Sequence, residues 1–276
     1  MQQRTGQVAI ITGAASGIGR ALALALGADG ATVVASDIDG AGAEATAAAI
    51  NAAGPGRATG VVLDVTSSAD VEKLVKQTAH DHGRLDLMFN NAGIAIAGDA
   101  RDLDLARWRR VIDVNLMGVV YGADAAYKVM AKQGHGHIVN IASLAGLCPF
   151  PTNVPYSTTK HAVVGLSQSL RQEGADLGVR VSAVCPGFVE SNIYTASETV
   201  GAPQDRLLEG IPFKKVPTAA AARRILDGVA RNRAIIVFPA YARIMWALYR
   251  VCPALLAPFG AKLMRDFRKL RTAPDA

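Results

Sequence analysis

Short apolar runs alternate along the chain with longer runs of helix-forming residues. The apolar runs predict strands at residues 8–12, 32–36, 61–63, 85–90, 137–142, 179–184 and 234–238. The longer runs predict helices at residues 20–28, 41–53, 68–82, 103–132, 156–177 and 219–230. Because strands and helices alternate and the strands are apolar throughout, we expect an α/β fold. Its core would be a doubly wound parallel sheet of about seven strands with helices on both faces.

Composition favours one large domain, over residues 1–240. The chain has 276 residues, half of them hydrophobic, which is enough for a sizeable core. Its three cysteines, Cys148, Cys185 and Cys252, match no metal-binding spacing, and His135 and His137 are interpreted as turn residues. No signal-peptide pattern and no apolar run of roughly 18 residues is present. We therefore expect a cytoplasmic protein without a metal site.

The formal net charge of +6 is concentrated near the end of the chain. From residue 231 onward there are nine basic and two acidic residues, whereas residues 1–230 hold 20 basic and 21 acidic ones. No basic stripe with interleaved aromatic residues crosses the body of the protein. We therefore expect no nucleic-acid partner.

The loop between the first predicted strand and helix is rich in glycine. Its candidate binding residues are Gly13, Ser16, Gly17, Ile18 and Gly19. Glycine permits a tight turn and a close approach of the main chain to a pyrophosphate, and the following helix N-terminus presents free N–H groups. Glycines also occur in ordinary turns, but this position between strand and helix favours a Rossmann-type dinucleotide site.

Asp37 follows the second predicted strand and indicates the choice of cofactor. A carboxylate there can accept hydrogen bonds from the adenine ribose hydroxyls and would repel a 2′-phosphate. Residue 38 is isoleucine and residue 16 is serine, so neither offers a cation to a phosphate. We include Ile38 in the site and expect NAD (NADH) rather than NADP. The alternative is a solvated turn aspartate.

Tyr156 and Lys160 are four residues apart on a predicted helix, so they share one face. An ammonium near a phenol favours the phenolate and would lower the pKa of the tyrosine towards the range of acid–base catalysis. Ser143 follows a predicted strand, at the carboxyl edge of the sheet where ligands of such folds bind. Such a tyrosine–lysine pair by itself is more often structural.

Across about residues 5 to 240 the sequence resembles the short-chain dehydrogenase/reductase family. The resemblance is carried, in order, by Thr12–Gly19, Asp64-Val65, Asn90-Asn91-Ala92-Gly93, Asn115, Ser143, Tyr156, Lys160 and Pro186-Gly187. It implies an NAD-dependent oxidoreductase that acts on an alcohol or a ketone. It also implies a homo-oligomer, a dimer or a tetramer.

The resemblance implies four catalytic residues. Tyr156 would be the general acid/base, and Lys160 would lower its pKa and hold the nicotinamide ribose. Ser143 would polarise the substrate carbonyl, and Asn115 would position a water in a proton relay. Asn115 could instead simply bend its helix, and Ser143 could be a strand-end hydrogen bonder.

The resemblance also implies further contacts with the cofactor. Asp64 and Val65 would contact the adenine, and Asn90, Ala92 and Gly93 would form a wall along the cofactor. After Pro186 and Gly187, Val189 and Ser191 would meet the nicotinamide carboxamide. Ser191 stands where the family usually has threonine. Alternatively, Asp64 is only a strand-end cap, and Pro186-Gly187 only a turn.

The substrate is expected to be a lipophilic secondary alcohol, such as a steroid, a retinoid-like alcohol or an aryl carbinol. The aromatic residues on stretches expected near the pocket, including the long loop at 188–217, are Phe150, Phe188, Tyr194 and Phe213. One alternative is a 3-oxoacyl reductase, which Asp37 disfavours because that role usually goes with NADPH. A non-catalytic dinucleotide-binding module and a membrane-surface scaffold are the others.

Residues 241–276 are expected to form a basic, amphipathic helical C-terminal extension. One apolar stripe comprises Tyr241, Ile244, Met245, Leu248, Tyr249, Val251 and Cys252, and a second comprises Phe259, Leu263, Phe267 and Leu270. We expect the first helix to pack near the substrate entrance, and the second to be its more exposed, mobile continuation. The alternatives are that the stripes cover the substrate pocket, pair across a dimer, or make peripheral contact with an anionic membrane surface.

Overall fold

The computed structural model describes residues 4–191, 193, 197–205 and 213–271 of the chain. This part contains the strands β1 (Val8–Thr12), β2 (Thr32–Asp37), β3 (Arg57–Val62), β4 (Leu87–Asn90), β5 (Ile96–Ala97), β6 (Gly136–Ile141), β7 (Val179–Pro186), β8 (Glu198–Thr199) and β9 (Ile235–Phe238). Seven of them form a parallel sheet in the order β3-β2-β1-β4-β6-β7-β9. The two short strands β5 and β8 pair separately.

Helices cover both faces of the sheet. They are α1 (Gly17–Ala28), α2 (Gly40–Ala53), α3 (Ser68–His82), α4 (Leu105–Ile112), α5 (Gly118–Gln133), α6 (Val154–Glu173), α7 (Thr218–Ala230), α8 (Ala240–Val251) and α9 (Ala257–Leu270). Ile11 of β1 packs in a core with residues of α1 and α7, whereas its neighbour Ile10 packs in a second core with residues of α3 and α5. The prediction of a doubly wound α/β sheet is confirmed.

The strand order places a ligand crevice between β1 and β4. From β1 the chain proceeds outwards through β2 to β3 and then returns to β4 on the other side of β1. The two βα connections at this border leave the sheet in opposite directions. Open α/β sheets bind ligands at the carboxyl end of such a switch point. The loops after β1 and β4 are therefore the first place to look for a site.

The third strand lies earlier in the chain than predicted. We expected it at residues 61–63, whereas β3 spans Arg57–Val62. It is the edge strand of the sheet, and none of its six residues is fully buried. An edge strand lacks the continuous apolar run of a strand buried on both faces, and the sequence pattern therefore located only its end.

The long helical region predicted at 103–132 is divided in the structure. A five-residue π-helical turn, Asp113–Met117, separates α4 from α5. Gly118 then begins α5 next to Val65, and a Cβ added at this glycine would lie 2.9 Å from Cγ2 of that valine. The wider turn displaces the helix where it approaches the loop after β3. π-turns of this kind are frequent at functional sites.

The C-terminal extension consists of α8, a 3-10 turn at Pro253–Leu256 and α9. Phe267 of α9 is buried, whereas Ile244 and Val251 of α8 are exposed. Our expectation that the second helix has the more exposed stripe is therefore wrong, because every stripe residue of α9 is at least partly buried, whereas three stripe residues of α8 are exposed. Among the described residues, no helix combines the length and the apolarity needed to cross a lipid bilayer.

His137, which we interpreted as a turn residue, is instead buried at the start of β6 and links this strand to β7 and to the turn before β9. Its Nε2 lies 2.8 Å from Oγ of Ser182 on β7, and that hydroxyl donates to the carbonyl of Arg233 at 2.6 Å. Since the hydroxyl proton is used, Nε2 must be the donor to Ser182. Burial, reinforced by nearby arginines, lowers the pKa of His137 to about 3. The folded protein therefore holds this imidazole neutral.

We expect His137 to make the fold acid-sensitive. Between the unfolded-state pKa of roughly 6.5 and the folded-state pKa of about 3, the unfolded chain binds one more proton, so stability falls as pH falls. His137→Gln keeps a donor for Ser182 but cannot titrate. We expect urea denaturation to give a free energy of unfolding for each protein at each pH. The wild-type value minus the variant value should be about 2 kcal/mol smaller at pH 5 than at pH 7. Parallel pH profiles would contradict this role.

Candidate active site

The loop between β1 and α1 can exist only with glycine at two positions. Gly13 has a φ of +68°, and a Cβ added there would lie 2.9 Å from Cα of Ala92, in the loop after β4. A Cβ on Gly19 would collide with the carbonyl oxygen of Gly13. The two loops at the switch point therefore meet backbone to backbone, leaving the crevice above them open to a ligand.

Asn91 holds these two loops together, a role that our sequence analysis missed. Its amide donates to the carbonyls of Thr12 and Gly13, at 2.9 and 3.1 Å. The Thr12 hydroxyl in turn accepts from the main-chain N–H groups of Asn91 and Ala92, both at 3.0 Å. Asn91 lay inside the motif that carried the family resemblance, and its position was the signal that could have identified it.

The N-terminus of α1 is open to an anion. Ser16 is its N-cap residue, yet its exposed side chain makes no capping hydrogen bond in the described structure. The N–H groups of the first turn, which starts at Gly17 and continues through Ile18, are therefore available to a ligand. A helix N-terminus with uncapped N–H groups suits a phosphate. Together with the bare glycine loop, it fits the pyrophosphate of a dinucleotide.

Asp37 lies where an adenine ribose would be held. Its Oδ2 accepts from the N–H of Ala15 at 2.9 Å, and its Oδ1 accepts from the N–H of Asp39 at 3.0 Å. These bonds fix the carboxylate beside the glycine loop. The side chains of Ile38 and Val62 are 71% and 70% exposed nearby, at the ends of β2 and β3. Such exposed apolar groups fit the faces of an adenine, and Val62 was not among our candidates.

Asn90, expected in the wall along the cofactor, and Asp64 and Val65, expected at the adenine, all make contacts within the protein. Asn90 is buried, and its amide donates to Asn140 at 2.8 Å, so it holds β4 to β6 rather than facing the crevice. The Val65 side chain is buried in a core cluster, which leaves only its main chain for an adenine. Asp64 accepts from the N–H and the hydroxyl of Thr66 and thereby stabilises the turn before α3.

Gly93 lies at the point where the crevice meets the catalytic candidates. A Cβ added to it would lie 3.2 Å from Oδ1 of Asn115 and 3.6 Å from Nζ of Lys160. Asn115 is buried in the π-helical turn and exchanges two hydrogen bonds of 2.8 Å with the main chain of Ile94. The amide is therefore fixed beside the ammonium. Both expected roles of Asn115, in the relay and in bending the helix, are consistent with this position.

Tyr156 and Lys160 share the inner face of α6, as their spacing predicts. The Lys160 ammonium is buried, donates to the carbonyl of Ile141 at 2.8 Å, and lies 5.5 Å from the centre of the tyrosine ring. Ser143 hydrogen-bonds to Tyr156, and its hydroxyl also accepts from the N–H of Ala145 at 3.1 Å. The structure thus brings a phenol, an ammonium and a hydroxyl together at the carboxyl end of β6.

Burial dominates the acid–base properties of this group. It raises the pKa of Tyr156 above its ordinary value, and the hydrogen bond with Ser143 only partly opposes that shift. Burial also lowers the pKa of Lys160 to about 8. We expected the ammonium to lower the tyrosine pKa, and for the protein alone that expectation is wrong. Loss of water from the phenolate outweighs the favourable contacts in this pocket.

A cavity of about 530 Å³ adjoins the side chains of Tyr156 and Ser143. Of the aromatic candidates, Phe150, Phe188 and Phe213 line it, together with Pro186 and Gly187, whereas Tyr194 lies outside the described residues. The rings of Phe188 and Phe213 are stacked with centres 5.8 Å apart. An enclosed space with aromatic walls suits a lipophilic ligand.

The loop after β7 is tied into the site at several points. The main-chain N–H of Phe188 donates to the Tyr241 hydroxyl at 2.7 Å. Val189 is buried and forms a bridge with Val216. Ser191 faces the glycine loop. A Cβ added to Gly17 would lie 3.3 Å from the Cβ of Ser191. The loop thus spans the crevice near both the cofactor candidates and the substrate cavity.

Helix α9 closes the far side of the cavity, which is one of the positions that the sequence allowed for the extension. Its residues in the cavity wall include Phe259, Leu263, Phe267 and Leu270. Two ion pairs attach the helix to the body. Arg268 contacts Asp99 at 3.0 Å, and Arg271 binds the buried carboxylate of Asp102 with two hydrogen bonds of 2.8 and 2.7 Å. The chain therefore supplies its own cover for the pocket.

Comparisons with known proteins agree with this geometry. A family model for the short chain dehydrogenase matches residues 7–200. The chain is 38% identical to a 3-oxoacyl-[acyl-carrier-protein] reductase of Synechocystis over 78% of this chain and 85% of that relative. It is 40% identical to a (2S)-[(R)-hydroxy(phenyl)methyl]succinyl-CoA dehydrogenase subunit of Thauera aromatica, over 68% and 75% of the two chains.

A solved structure is similar over almost its whole length. It is a short chain dehydrogenase/reductase from Burkholderia phymatum in complex with NAD. The TM-score is 0.84 at 30% sequence identity, and the match covers 92% of this chain and 96% of that one. The two chains therefore share the same fold over the matched length.

We expect the ion pair between Asp102 and Arg271 to hold α9 in place. The hydrogen bonds from Arg271 lower the pKa of Asp102, so the pair stays charged well below neutral pH. Asp102→Asn should make amide hydrogen exchange in α9 about tenfold faster and leave β1 and β4 unchanged. Asp124→Asn, which removes an exposed ion pair with Lys128, is the matched control. Unchanged exchange in α9 would contradict this assignment.

Proposed function

Because this chain belongs to the short-chain dehydrogenase/reductase family of oxidoreductases, we propose that it uses NAD to interconvert a lipophilic secondary alcohol and its ketone. The observation that carries the proposal is the position of Tyr156 and Ser143 in the wall of the cavity that α9 covers. An acid–base group faces a largely apolar space there. Substrates with one reactive oxygen and an apolar body match that arrangement.

The choice of NAD is supported by Asp37 and its neighbours. The carboxylate stands fixed by the N–H groups of Ala15 and Asp39, beside the exposed side chain of Ile38. A 2′-phosphate would meet a negative charge at this position. The similar structure from Burkholderia phymatum is in complex with NAD, which supports the same choice.

Each side chain of the site has a different role in the proposed reaction. The nicotinamide, when bound, accepts the hydride from the alcohol carbon or returns it to the ketone. In oxidation the Tyr156 phenolate takes the proton of the substrate hydroxyl, and in reduction the Tyr156 phenol supplies it. Ser143 hydrogen-bonds to the same oxygen and stabilises its developing charge. Lys160 and Asn115 lie behind the tyrosine, where they can pass a proton towards the crevice.

A raised tyrosine pKa has a consequence for the direction of the reaction. Because burial disfavours the phenolate, Tyr156 is protonated at neutral pH and is ready to donate. Oxidation requires the phenolate, whose fraction grows only as pH rises. We therefore propose that ketone reduction is favoured near neutral pH, and alcohol oxidation at alkaline pH.

A second candidate function is reduction of a 3-oxoacyl thioester. It is favoured by the 38% identity to the 3-oxoacyl-[acyl-carrier-protein] reductase of Synechocystis. The two functions differ in cofactor and in substrate. Turnover of acetoacetyl-CoA with NADPH, at a higher kcat/KM than any apolar ketone with NADH, would favour the second.

We expect Tyr156→Phe to abolish turnover while leaving NAD binding intact. The variant keeps the ring but loses the proton donor, and kcat should fall at least about 100-fold for a panel of secondary alcohols and ketones. Absorbance of reduced nicotinamide measures turnover. In the wild type, kcat for oxidation should rise from pH 7 and still be rising at roughly pH 10, the ordinary pKa of tyrosine, because burial raises the pKa of Tyr156. Near-normal turnover by the variant would overturn the assignment of Tyr156.

We expect the double variant Asp37→Ala, Ile38→Arg to accept NADP. It removes the carboxylate that repels a 2′-phosphate and adds a cation that can bind one. The ratio of kcat/KM for NADP to that for NAD should rise about 100-fold. Ile38→Ala is the control, since it leaves the carboxylate in place. A wild type that already prefers NADPH would show that our interpretation of Asp37 is wrong.

A further inference from the structure

Exposed apolar side chains are concentrated on one short segment of the C-terminal extension. Among the described residues, nine large hydrophobic side chains are exposed, and four of them lie within twelve residues of each other. These are Ile244 (59% exposed), Leu248 (41%), Val251 (85%) and Leu255 (57%). Ile38 and Val62 are explained by the cofactor crevice. No function described so far explains the four on the extension.

The four side chains form a continuous surface. Residues 244, 248 and 251 are spaced four and three apart, which places them on one side of α8, and Leu255 follows in the 3-10 turn. Ala247 is exposed next to them. We call the residues Ile244, Ala247, Leu248, Val251 and Leu255 the outer α8 face.

The opposite side of α8 already has its partners. Tyr241, Met245 and Tyr249 pack against the core cluster that includes Val163 and Ala242. The apolar stripe predicted for this helix is therefore divided between two environments. A helix that is apolar on both sides ordinarily has both sides covered. The outer α8 face lacks such a cover within the described part of the chain.

The charges around this face are basic. Arg243 and Arg250 are exposed on its border, and within the described residues neither forms an ion pair. The guanidinium of Arg250 lies over the ring of Trp246, 5.3 Å from its centre. The segment from residue 240 to residue 256 contains no acidic residue. An apolar strip edged by arginines can lie in a lipid interface with its cations at the head groups.

We propose that the outer α8 face rests on the surface of an anionic lipid bilayer. Charge decides between a lipid surface and a second copy of the chain. Two copies of this face would bring four arginines together without a carboxylate to neutralise them, whereas an anionic surface neutralises all of them. The apolar interior of a bilayer is fluid and adapts to the exposed side chains, so this contact does not require a partner surface of complementary shape.

The connection to the substrate cavity makes this surface useful. The 3-10 turn that carries Leu255 leads directly into α9, which covers the cavity. A cleft of about 640 Å³ between α6 and the extension, lined in part by Val154, Tyr249 and Leu256, adjoins the same turn. A lipophilic molecule dissolved in a bilayer would therefore meet the protein beside its pocket. The lipid contact itself does not depend on the proposed function.

The test is flotation of the full chain with vesicles. We expect the wild type to float with vesicles of phosphatidylcholine and phosphatidylglycerol, and about tenfold less with phosphatidylcholine alone. Ile244→Ser, Leu248→Ser, Val251→Ser in one chain should reduce binding to the mixed vesicles at least about tenfold. Leu105→Ser, Leu177→Ser is the control, because both side chains are exposed elsewhere. It should bind like the wild type.

A second variant tests the electrostatic part separately. Arg243→Gln, Arg250→Gln leaves the apolar strip intact and should lose most of the preference for phosphatidylglycerol. A circular dichroism spectrum and a thermal unfolding midpoint like those of the wild type show that each variant is folded. No flotation of the wild type, or an equal loss in the control, would overturn the proposal. So would a lipid-free dimer that the triple serine variant converts into a monomer, because a second copy would then cover the face.

Discussion

The loops after β1 and β4 approach each other so closely that Gly13 and Gly19 have no room for a side chain, and the rest of the site depends on that approach. Gly13 meets Ala92 through main-chain atoms, and Gly19 has no room for a Cβ beneath Gly13. The amide of Asn91 and the hydroxyl of Thr12 satisfy the polar groups that this contact would otherwise leave buried. The crevice above remains open for a ligand because neither glycine carries a side chain into it.

Burial of ionisable groups is the second organising feature. Tyr156 and Lys160 both lie where water is scarce, and each pKa is shifted towards the neutral form of the side chain. An unpaired buried charge is costly, so the ammonium is held by the carbonyl of Ile141 and lies beside the fixed amide of Asn115. The lowered pKa lets Lys160 release a proton at moderate pH more readily than an isolated lysine would, whereas the raised pKa of Tyr156 keeps the phenol protonated there.

The two amphipathic helices of the C-terminal extension differ in what their apolar sides contact. Helix α9 turns its stripe inward, where Phe267 is buried and Leu263 lines the cavity, and two arginines hold it to carboxylates of the body. Helix α8 packs one side and leaves the other exposed. The body thus gains a cover for its pocket and an apolar surface beside it, from one segment of about thirty residues.

The sequence by itself determined the architecture, because alternating strand and helix patterns are local and specify a parallel sheet with helices on both faces. It also located the glycine loop, Asp37 and the shared face of Tyr156 and Lys160, since spacing along one element decides these. Only the tertiary structure decided that Asn90 holds the sheet together, that burial raises the pKa of Tyr156, and that the apolar stripe of α9 faces the cavity while one side of α8 stays exposed. Those properties depend on which distant element covers a residue. The spacing of apolar residues shows that a helix has an apolar side. It does not show which element, ligand or solvent that side contacts.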